Sequence, residues 1–190
     1  MDRLTARGLT GGMAATIEAG RTGTTVTAWG GAALVAATVT TGLMAGLFCA
    51  FAYSVMPGLG KADDRTFVEA MQRINVAILN GWFGVIFAGA LVTSIAAVVL
   101  HLRDSGRPAL PWIVAGLVLY VAVLVVTFAV NVPLNNELAA AGTLDRIGDL
   151  AAVRERFEAT WVRWNIIRAA ASIAAFGCLS WALVLHGRGT

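Results

Sequence analysis

Five polar or aromatic residues occur together in the first half of the last apolar stretch of the chain. Their spacing of i, i+3, i+4, i+7 and i+11 puts them on one face of a helix. They are Trp161, Trp164, Asn165, Arg168 and Ser172. Because a membrane span takes about 20 residues, Arg168 lies within the hydrocarbon or at its rim. An arginine at that depth costs roughly 3 kcal/mol unless it is paired or faces water, so it is a candidate functional residue. In the alternative interpretation, Arg168 extends to the lipid headgroups and the two tryptophans lie in the interfacial layer.

A second polar group follows the third apolar stretch. Pro133 lacks a backbone N–H and disfavours helix at the residue before it, which predicts a kink or a new helix start. Three amides and one carboxylate surround this proline, namely Asn131, Asn135, Asn136 and Glu137. Two further polar residues approach the membrane edge, Tyr53 at the end of the first apolar stretch and Asn75 at the start of the second.

The composition indicates that membrane-spanning helices position these residues. Hydrophobic residues make up 58% of the 190 residues and charged residues only 13%. A soluble domain of this size cannot bury so much apolar surface. The formal net charge of +3 is small and no dense run of Lys or Arg occurs, so no nucleic acid is expected as a partner. The sequence predicts an integral membrane protein in contact with membrane lipids.

The usual metal ligands are sparse. Cys49 and Cys178 both fall in apolar stretches, where we expect small core residues rather than a disulfide or a metal pair. His101 and His186 are the only histidines, and both flank apolar stretches. We therefore expect no conventional metal or haem site.

Four apolar stretches are long enough to cross a bilayer, at about residues 26–56, 74–100, 111–130 and 161–185. The first and third loops carry apolar residues at helical spacing, which predicts helices lying on the membrane interface. The predicted fold is all-α, a transmembrane four-helix bundle with short amphipathic interfacial helices in the first loop (59–73) and the third loop (144–158). We divide the chain into a flexible leader (1–25), the transmembrane domain (26–186) and a C-terminal tail (187–190).

Four crossings put both termini on one side of the membrane and the first and third loops on the other. The polar residues of both groups then lie at the same leaflet. Basic residues outnumber acidic ones on the side of the termini, which favours termini in the cytoplasm. We expect a multi-pass protein of a plasma membrane of the bacterial type.

The combined polar group has the chemistry of a site for a ligand oxygen. Asparagine amides, Trp N–H groups and a guanidinium donate hydrogen bonds that stabilise a developing enolate or phenolate. The rings of Trp161 and Trp164 suit an aromatic ligand. Glu137 is the carboxylate nearest to the group in sequence, and it is either the salt-bridge partner of Arg168 or a general base.

The order of four short motifs resembles the anthrone-oxygenase-like family of small four-helix membrane proteins, over about residues 34–186. The motifs are Gly46-Leu47-Phe48-x-Ala50-Phe51 leading to Met56-Pro57, then Ala70-Met71-Gln72-x-Ile74-Asn75, then Asn131-Val132-Pro133-Leu134-Asn135, and Trp161-x2-Trp164-Asn165-x2-Arg168. The last two are the most specific. The resemblance implies an oxidoreductase of aromatic polyketide pathways that converts an anthrone to an anthraquinone with O2 as co-substrate and without a metal or flavin cofactor.

On this hypothesis, the acidic CH2 of a lipophilic aromatic substrate loses a proton and the enolate reduces O2 directly. The candidate catalytic residues are Arg168, Asn165, Asn131 and Glu137. The candidate substrate-binding residues are Trp161, Trp164, Asn135, Asn136, Asn75 and Tyr53. The proton acceptor is Glu137 or a water held by Asn135 and Asn136.

Two other classes of function stay open from the sequence. A non-enzymatic membrane protein would bind a lipid or quinone, or act as an accessory subunit in which the polar group holds the loops onto the helices. A transporter is less favoured, because four helices without an internal repeat offer little alternating-access machinery unless the chain forms a homo-oligomer.

Overall fold

The computed structural model describes residues 28–102 and 108–189. Within these ranges the chain forms five long helices, a short 3-10 turn at Leu144–Arg146 and no strand. The helices are α1 (Ala28–Leu59), α2 (Asp64–Ala77), α3 (Gly81–Leu102), α4 (Leu110–Ala140) and α5 (Leu150–Gly189). Four of them, all except α2, are long and apolar enough to cross a membrane. The predicted all-α architecture with four candidate spans is confirmed, and the predicted leader lies outside the described residues.

The second span starts later than predicted because α2 and α3 are separate helices. Asn75 belongs to α2, and α3 begins only at Gly81. The side chain of Asn80 separates the two helices. Its Oδ1 accepts a hydrogen bond from the backbone N–H of Phe83 (3.1 Å), and its Nδ2 donates to the carbonyl oxygen of Ala77 (2.9 Å). Asn80 therefore caps the start of α3 and holds it to the end of α2.

The interfacial helix predicted in the third loop is instead the first part of α5. Neither Gly nor Pro occurs between Leu150 and Phe176, so nothing interrupts the backbone hydrogen bonds where the amphipathic segment meets the apolar one. The same helix continues to Gly189, beyond the predicted domain boundary at residue 186.

The helices α1 and α4 each contain a π-helical turn shortly before a proline. Phe51–Val55 precedes Pro57, and Thr127–Asn131 precedes Pro133. A proline lacks the N–H of the regular ladder, and its ring clashes with the carbonyl four residues earlier. The wider π turn accommodates this, so the predicted kink at Pro133 is a bulge in a continuous helix. Such bulges occur frequently at functional sites.

The helix α2 is the predicted amphipathic helix of the first loop, and its apolar side is buried at one end of the bundle. Phe67, Val68 and Met71 pack there in a cluster with Phe157 and Trp161 of α5. The N-terminus of α2 is capped, because the Asp63 carboxylate accepts a hydrogen bond from the backbone N–H of Thr66 (3.0 Å). This hydrogen bond lowers the pKa of Asp63 below its usual value.

One arginine fixes the first loop onto α5. The guanidinium of Arg154 donates to the carbonyl oxygens of Gly60 (2.9 Å) and Ala62 (2.9 Å) and to the carboxylates of Asp64 (3.0 Å) and Glu158 (2.6 Å). These bonds satisfy carbonyls that a short loop would otherwise leave unpaired. The loop-side end of the bundle is therefore held in one arrangement.

The opposite end of the bundle is closed by a pair of histidines. His101 Nδ1 lies 2.7 Å from the carbonyl oxygen of Ala97, and its Nε2 lies 3.2 Å from Nδ1 of His186. Two glycines of α1 pack against these rings. A Cβ built on Gly31 would lie only 2.9 Å from His186 Nε2, and one built on Gly30 would lie 3.4 Å from His101 Cε1. Three helices therefore meet closely at this end.

Candidate functional site

A cavity of about 170 Å³ lies at the loop-side end, between the π turns of α1 and α4 and the middle of α5. Most of its wall is apolar, and the phenylalanines that line it are Phe48, Phe51, Phe83, Phe87 and Phe128. Its polar wall consists of Asn75, Thr127, Asn131, Asn135, Trp161 and Arg168. An apolar pocket with a few convergent polar groups is the usual form of a site for a small lipophilic ligand.

Among the described residues that line the cavity, Arg168 is the only charged one. Its side chain is 7% exposed, and its guanidinium carbon lies 4.3 Å from the centre of the Phe48 ring and 5.2 Å from that of Trp161. The aromatic faces stabilise the cation, by about 2 kcal/mol where it is desolvated. The guanidinium is therefore held between two rings.

Asn165 orients Arg168. Its Oδ1 accepts a hydrogen bond from Arg168 Nε (3.1 Å), and its Nδ2 donates to the carbonyl oxygen of Phe48 (3.1 Å). Both residues are buried, so this chain of bonds ties the guanidinium of α5 to the backbone of α1. The predicted group of Asn165 and Arg168 thus forms one unit, in which Asn165 positions the arginine and Arg168 lines the cavity.

Within the described chain, no carboxylate forms an ion pair with Arg168. A buried cation in a membrane span is costly and usually pairs with an anion or faces a cavity. Since this guanidinium faces a cavity without an acidic side chain, its charge is available for an anionic ligand oxygen. Donors held ready in a dry site can stabilise such an oxyanion by about 3 kcal/mol each.

Two asparagines of the cavity wall have amide atoms without a protein partner. Asn131, the last residue of the π turn in α4, is 1% exposed and its Oδ1 is unpaired, as is Nδ2 of Asn75 on α2. Leaving a buried polar atom unpaired costs about 1–3 kcal/mol. Unpaired atoms on a cavity wall therefore suggest hydrogen bonds that a ligand completes.

Trp161 forms part of the wall and supports Asn135. Its Nε1–H donates to Asn135 Oδ1 (2.8 Å), and its ring packs against those of Phe51 and Phe157, with centroids 5.7 Å and 6.0 Å away. Because this N–H is already used, Trp161 contributes a surface and a fixed amide to the site. From the sequence, we expected this N–H to be free to bind a ligand oxygen.

No three side chains of His, Cys, Asp or Glu lie close enough together to hold a metal ion in the ranges 28–102 and 108–189. The histidine pair is at the other end of the bundle, far along α3 and α5 from the cavity.

A model of the anthrone oxygenase family matches residues 81–178, which is more than half of the chain. The chain belongs to the anthrone oxygenase family. The region shared with the anthrone oxygenases comprises α3, α4 and most of α5, so it includes the cavity residues Asn131, Asn135, Trp161 and Arg168 but not Asn75. A search of the curated proteins finds no match, and neither does a search of the solved structures. Membership of the anthrone oxygenase family supports a related function in general.

The structure brings together six of the ten predicted site residues. Asn75, Asn131, Asn135, Trp161 and Arg168 line the cavity and Asn165 lies directly behind the arginine. These six residues come from α2, α4 and α5 and lie at the loop-side end of the bundle.

The other four predicted residues lie away from the cavity. Glu137 and Asn136 are exposed, and Glu137 lines a separate groove beside Arg156. Tyr53 is 75% exposed, on the opposite side of its π turn from Phe51. Trp164 is half-buried and is not among the residues of the cavity wall.

The proposed ion pair between Glu137 and Arg168 is absent from the described structure. The position of Glu137 explains this. Glu137 lies six residues after Asn131 on the same helix. At 100° per residue, its side chain lies about 240° around the helix axis from that of Asn131, away from the face that lines the cavity. A base at this position would act outside the cavity.

The phenylalanine wall was not predicted. Phe83 and Phe87 of α3 stack at a centroid distance of 5.1 Å, and Phe128 of α4 packs against Phe87 at 6.0 Å. These residues supply the flat apolar surface that we had predicted from Trp164. In an apolar stretch, the sequence does not distinguish a phenylalanine that faces lipid from one that faces a cavity. Only the spacing of the aromatic residues along α3 could have indicated a phenylalanine wall.

Proposed function

We propose that the protein is a membrane-embedded, cofactor-independent oxygenase that oxidises a lipophilic, anthrone-like aromatic with O2. The observation that carries the proposal is the buried guanidinium of Arg168, which faces an aromatic cavity and has no carboxylate partner in the described chain. Family membership is the second support.

The first step is loss of a proton from the CH2 group between the aromatic rings. This gives an enolate whose negative charge resides on the ring oxygen. Arg168 stabilises that oxygen, and a cation within about 4–6 Å lowers the pKa of an acidic group by about one to three units. No carboxylate is among the residues of the cavity wall, so the proton passes to water rather than to a protein base.

The second step is the reaction of the enolate carbon with O2. A carbon–oxygen bond forms and gives a hydroperoxide once a proton returns. Loss of the remaining C–H proton and cleavage of the O–O bond then give a carbonyl and water. The substrate loses four electrons and O2 gains four, so one O2 is consumed and one water released for each CH2 converted to C=O. Orientation, charge stabilisation and a dry cavity are what the protein contributes.

The substrate reaches the cavity from the bilayer. Leu79 and Phe128 line the cavity but are also 78% and 62% exposed on the outer surface, so the wall there is one side chain thick. The empty cavity of about 170 Å³ is close to the size of the roughly 150 Å³ cavity that holds a benzene ring. A three-ring substrate therefore displaces this thin wall as it binds.

The experiment is to measure O2 uptake by the purified protein in lipid nanodiscs after adding an anthrone. We expect saturable uptake, with one O2 consumed for each quinone carbonyl formed. Uptake no faster than in nanodiscs without protein would overturn the oxygenase proposal. Saturable binding of the anthrone without uptake would instead favour a non-enzymatic protein that binds lipids or quinones.

A further inference from the structure

The two terminal nitrogens of Arg168 are open to the loop-side cavity. Its Nε is already used, because it donates to Asn165 Oδ1 (3.1 Å). Nη1 and Nη2 donate to no group of the described chain, and they also differ from its fully buried unpaired atoms, which are Thr41 Oγ1, Asn75 Nδ2, Ser94 Oγ and Asn131 Oδ1. Since Arg168 lines the cavity, the accessible surface of Nη1 and Nη2 is available to a ligand there.

The open edge of this guanidinium has the geometry of a carboxylate site. With Nε bonded to Asn165, Nη1 and Nη2 remain as donors that lie side by side in one plane. Such a pair binds both oxygens of a carboxylate through two parallel hydrogen bonds. An enolate has a single oxygen and uses only part of this edge.

The charge of the cavity wall selects a ligand with one negative charge. Among the described residues of the wall, Arg168 alone is charged, and the remaining wall is mostly apolar. One guanidinium balances one carboxylate. The second charge of a phosphate dianion or a dicarboxylate would be buried without a partner, which is costly.

The wall opposite the charge suits an alkyl chain that continues into the bilayer. Leu79 and Phe128 line the cavity and are also 78% and 62% exposed on the outer surface of the bundle. The cavity of about 170 Å³ is close to the roughly 150 Å³ that hold a benzene ring. It therefore has room for a carboxylate and the first carbons of a chain, while the rest of the chain extends past the thin wall into lipid.

We propose that the cavity also binds a long-chain monocarboxylic acid from the bilayer, with its carboxylate on Nη1 and Nη2 of Arg168. Such an acid competes with the aromatic substrate, so the fatty acid content of the membrane regulates the site. The inference rests on the proposed function only in that substrate and acid use the same guanidinium.

The test compares lauric acid with 1-dodecanol, which has the same chain length and no carboxylate. Both are labelled with ¹³C at C1 and added to the protein in nanodiscs at alkaline pH, where the acid is ionised. Saturable binding is measured from the C1 resonance that nanodiscs without protein do not show. Relative to its partition into lipid, laurate should bind the wild type at least tenfold more tightly than dodecanol, and Arg168→Gln should lower this preference by about tenfold.

Arg163→Gln is the matched control. Arg163 lies on the same helix, but it is exposed and belongs to a groove on the outer surface. Its change tests whether any arginine near the membrane interface attracts laurate, and the preference should stay within about twofold of the wild type. If Arg168→Gln does not fold, Arg168→Lys replaces it. The preference should then fall by about fivefold, because an ammonium keeps the charge but lacks the planar pair of donors.

Competition shows whether laurate occupies this cavity. Bound laurate should raise the apparent dissociation constant of anthrone, measured without O2 in the same nanodiscs. Binding of laurate with no effect on bound anthrone would place the acid elsewhere and overturn the inference, as would an unchanged preference in the Arg168 variant.

The outcomes separate this inference from the oxygenase. Oxidation of anthrone by a protein that does not prefer laurate to dodecanol would overturn the inference alone. A preference for laurate that depends on Arg168, in a protein that consumes no O2, would support the inference and overturn only the oxygenase.

Discussion

The two ends of the bundle use buried polar groups in opposite ways. At the end where α1 begins and α5 ends, the rings of His101 and His186 contact each other, His101 also contacts a backbone carbonyl, and glycines bring α1 close to both rings. At the loop-side end, Arg168 has no carboxylate partner in the described chain, and Asn75 and Asn131 each have an unpaired amide atom.

Under the proposed function, this difference separates polar groups that hold helices together from polar groups that are left to bind a ligand. The histidine end adjoins a dense cluster of small and aliphatic residues around Leu34, Ile113 and Leu179, whereas the loop-side end encloses a cavity. Lack of a partner is not sufficient by itself. The buried hydroxyls of Thr41 and Ser94 also lack partners, but neither residue lines this cavity.

The largest effect is expected for Arg168→Gln. Removing the charge that stabilises the enolate should lower kcat/KM for an anthrone by about 100-fold or more. Thermal stability should change little, because loss of the hydrogen bond to Asn165 and of the contacts with two aromatic rings is offset by the removal of a buried cation that has no carboxylate partner in the described chain. Steady-state O2 uptake measures the change in kcat/KM, and a thermal melting curve measures the change in stability.

The control for Arg168→Gln is Arg163→Gln. Arg163 lies on the same helix but is exposed and belongs to a groove on the outer surface. Its change should leave kcat/KM within about twofold, as for most surface substitutions. Equal losses in the two variants would mean that Arg168 acts through the general charge of α5.

A smaller loss is expected for Trp161→Phe. The change keeps an aromatic wall but removes the Nε1–H that donates to Asn135 Oδ1 at 2.8 Å. Loss of one such hydrogen bond should lower kcat/KM by roughly fivefold. Steady-state O2 uptake measures it, and an unchanged value would show that the position of Asn135 does not affect turnover.

At the histidine end, Gly31→Ala should change stability and not activity. The new Cβ would lie 2.9 Å from His186 Nε2. The shift that relieves this clash should lower the free energy of unfolding by about 1–3 kcal/mol. The melting temperature should fall, while kcat/KM per folded molecule stays constant. A loss of kcat/KM in the folded fraction would show that the two ends are coupled.

The smallest effect is expected for Glu137→Gln. Its carboxylate is exposed in a groove separate from the cavity, so turnover should stay within about twofold of the wild type. A general base would instead contribute 100-fold or more. A loss of that size in the rate of O2 uptake would show that Glu137 acts as the general base.

The helix faces of this site could be predicted wherever the helix is regular. Trp161, Asn165 and Arg168 lie on one face of α5, as their spacing indicates, because nothing interrupts the 3.6-residue period there. The meeting of α4 with α5 followed from the count of crossings, since it places their polar ends at the same leaflet. Family motifs indicated the same residues.

The residues that spacing could not place lie at the π turns and in the apolar wall. Tyr53 and Phe51 are two residues apart on a π turn, and only Phe51 lines the cavity. Phe83, Phe87 and Phe128 are apolar residues in apolar helices, where burial against lipid and burial against a ligand favour the same residue types. Their role depends on how the helices pack, which a single sequence does not encode locally.

The most direct test of the site is a spectroscopic pH titration of bound anthrone without O2. In the wild type we expect the absorption of the anion to appear at a pH about one to three units lower than in Arg168→Gln in the same nanodiscs, because the guanidinium stabilises the enolate. The same titration midpoint in both proteins would show that Arg168 does not face the ligand oxygen, and would contradict the proposed chemistry of the cavity.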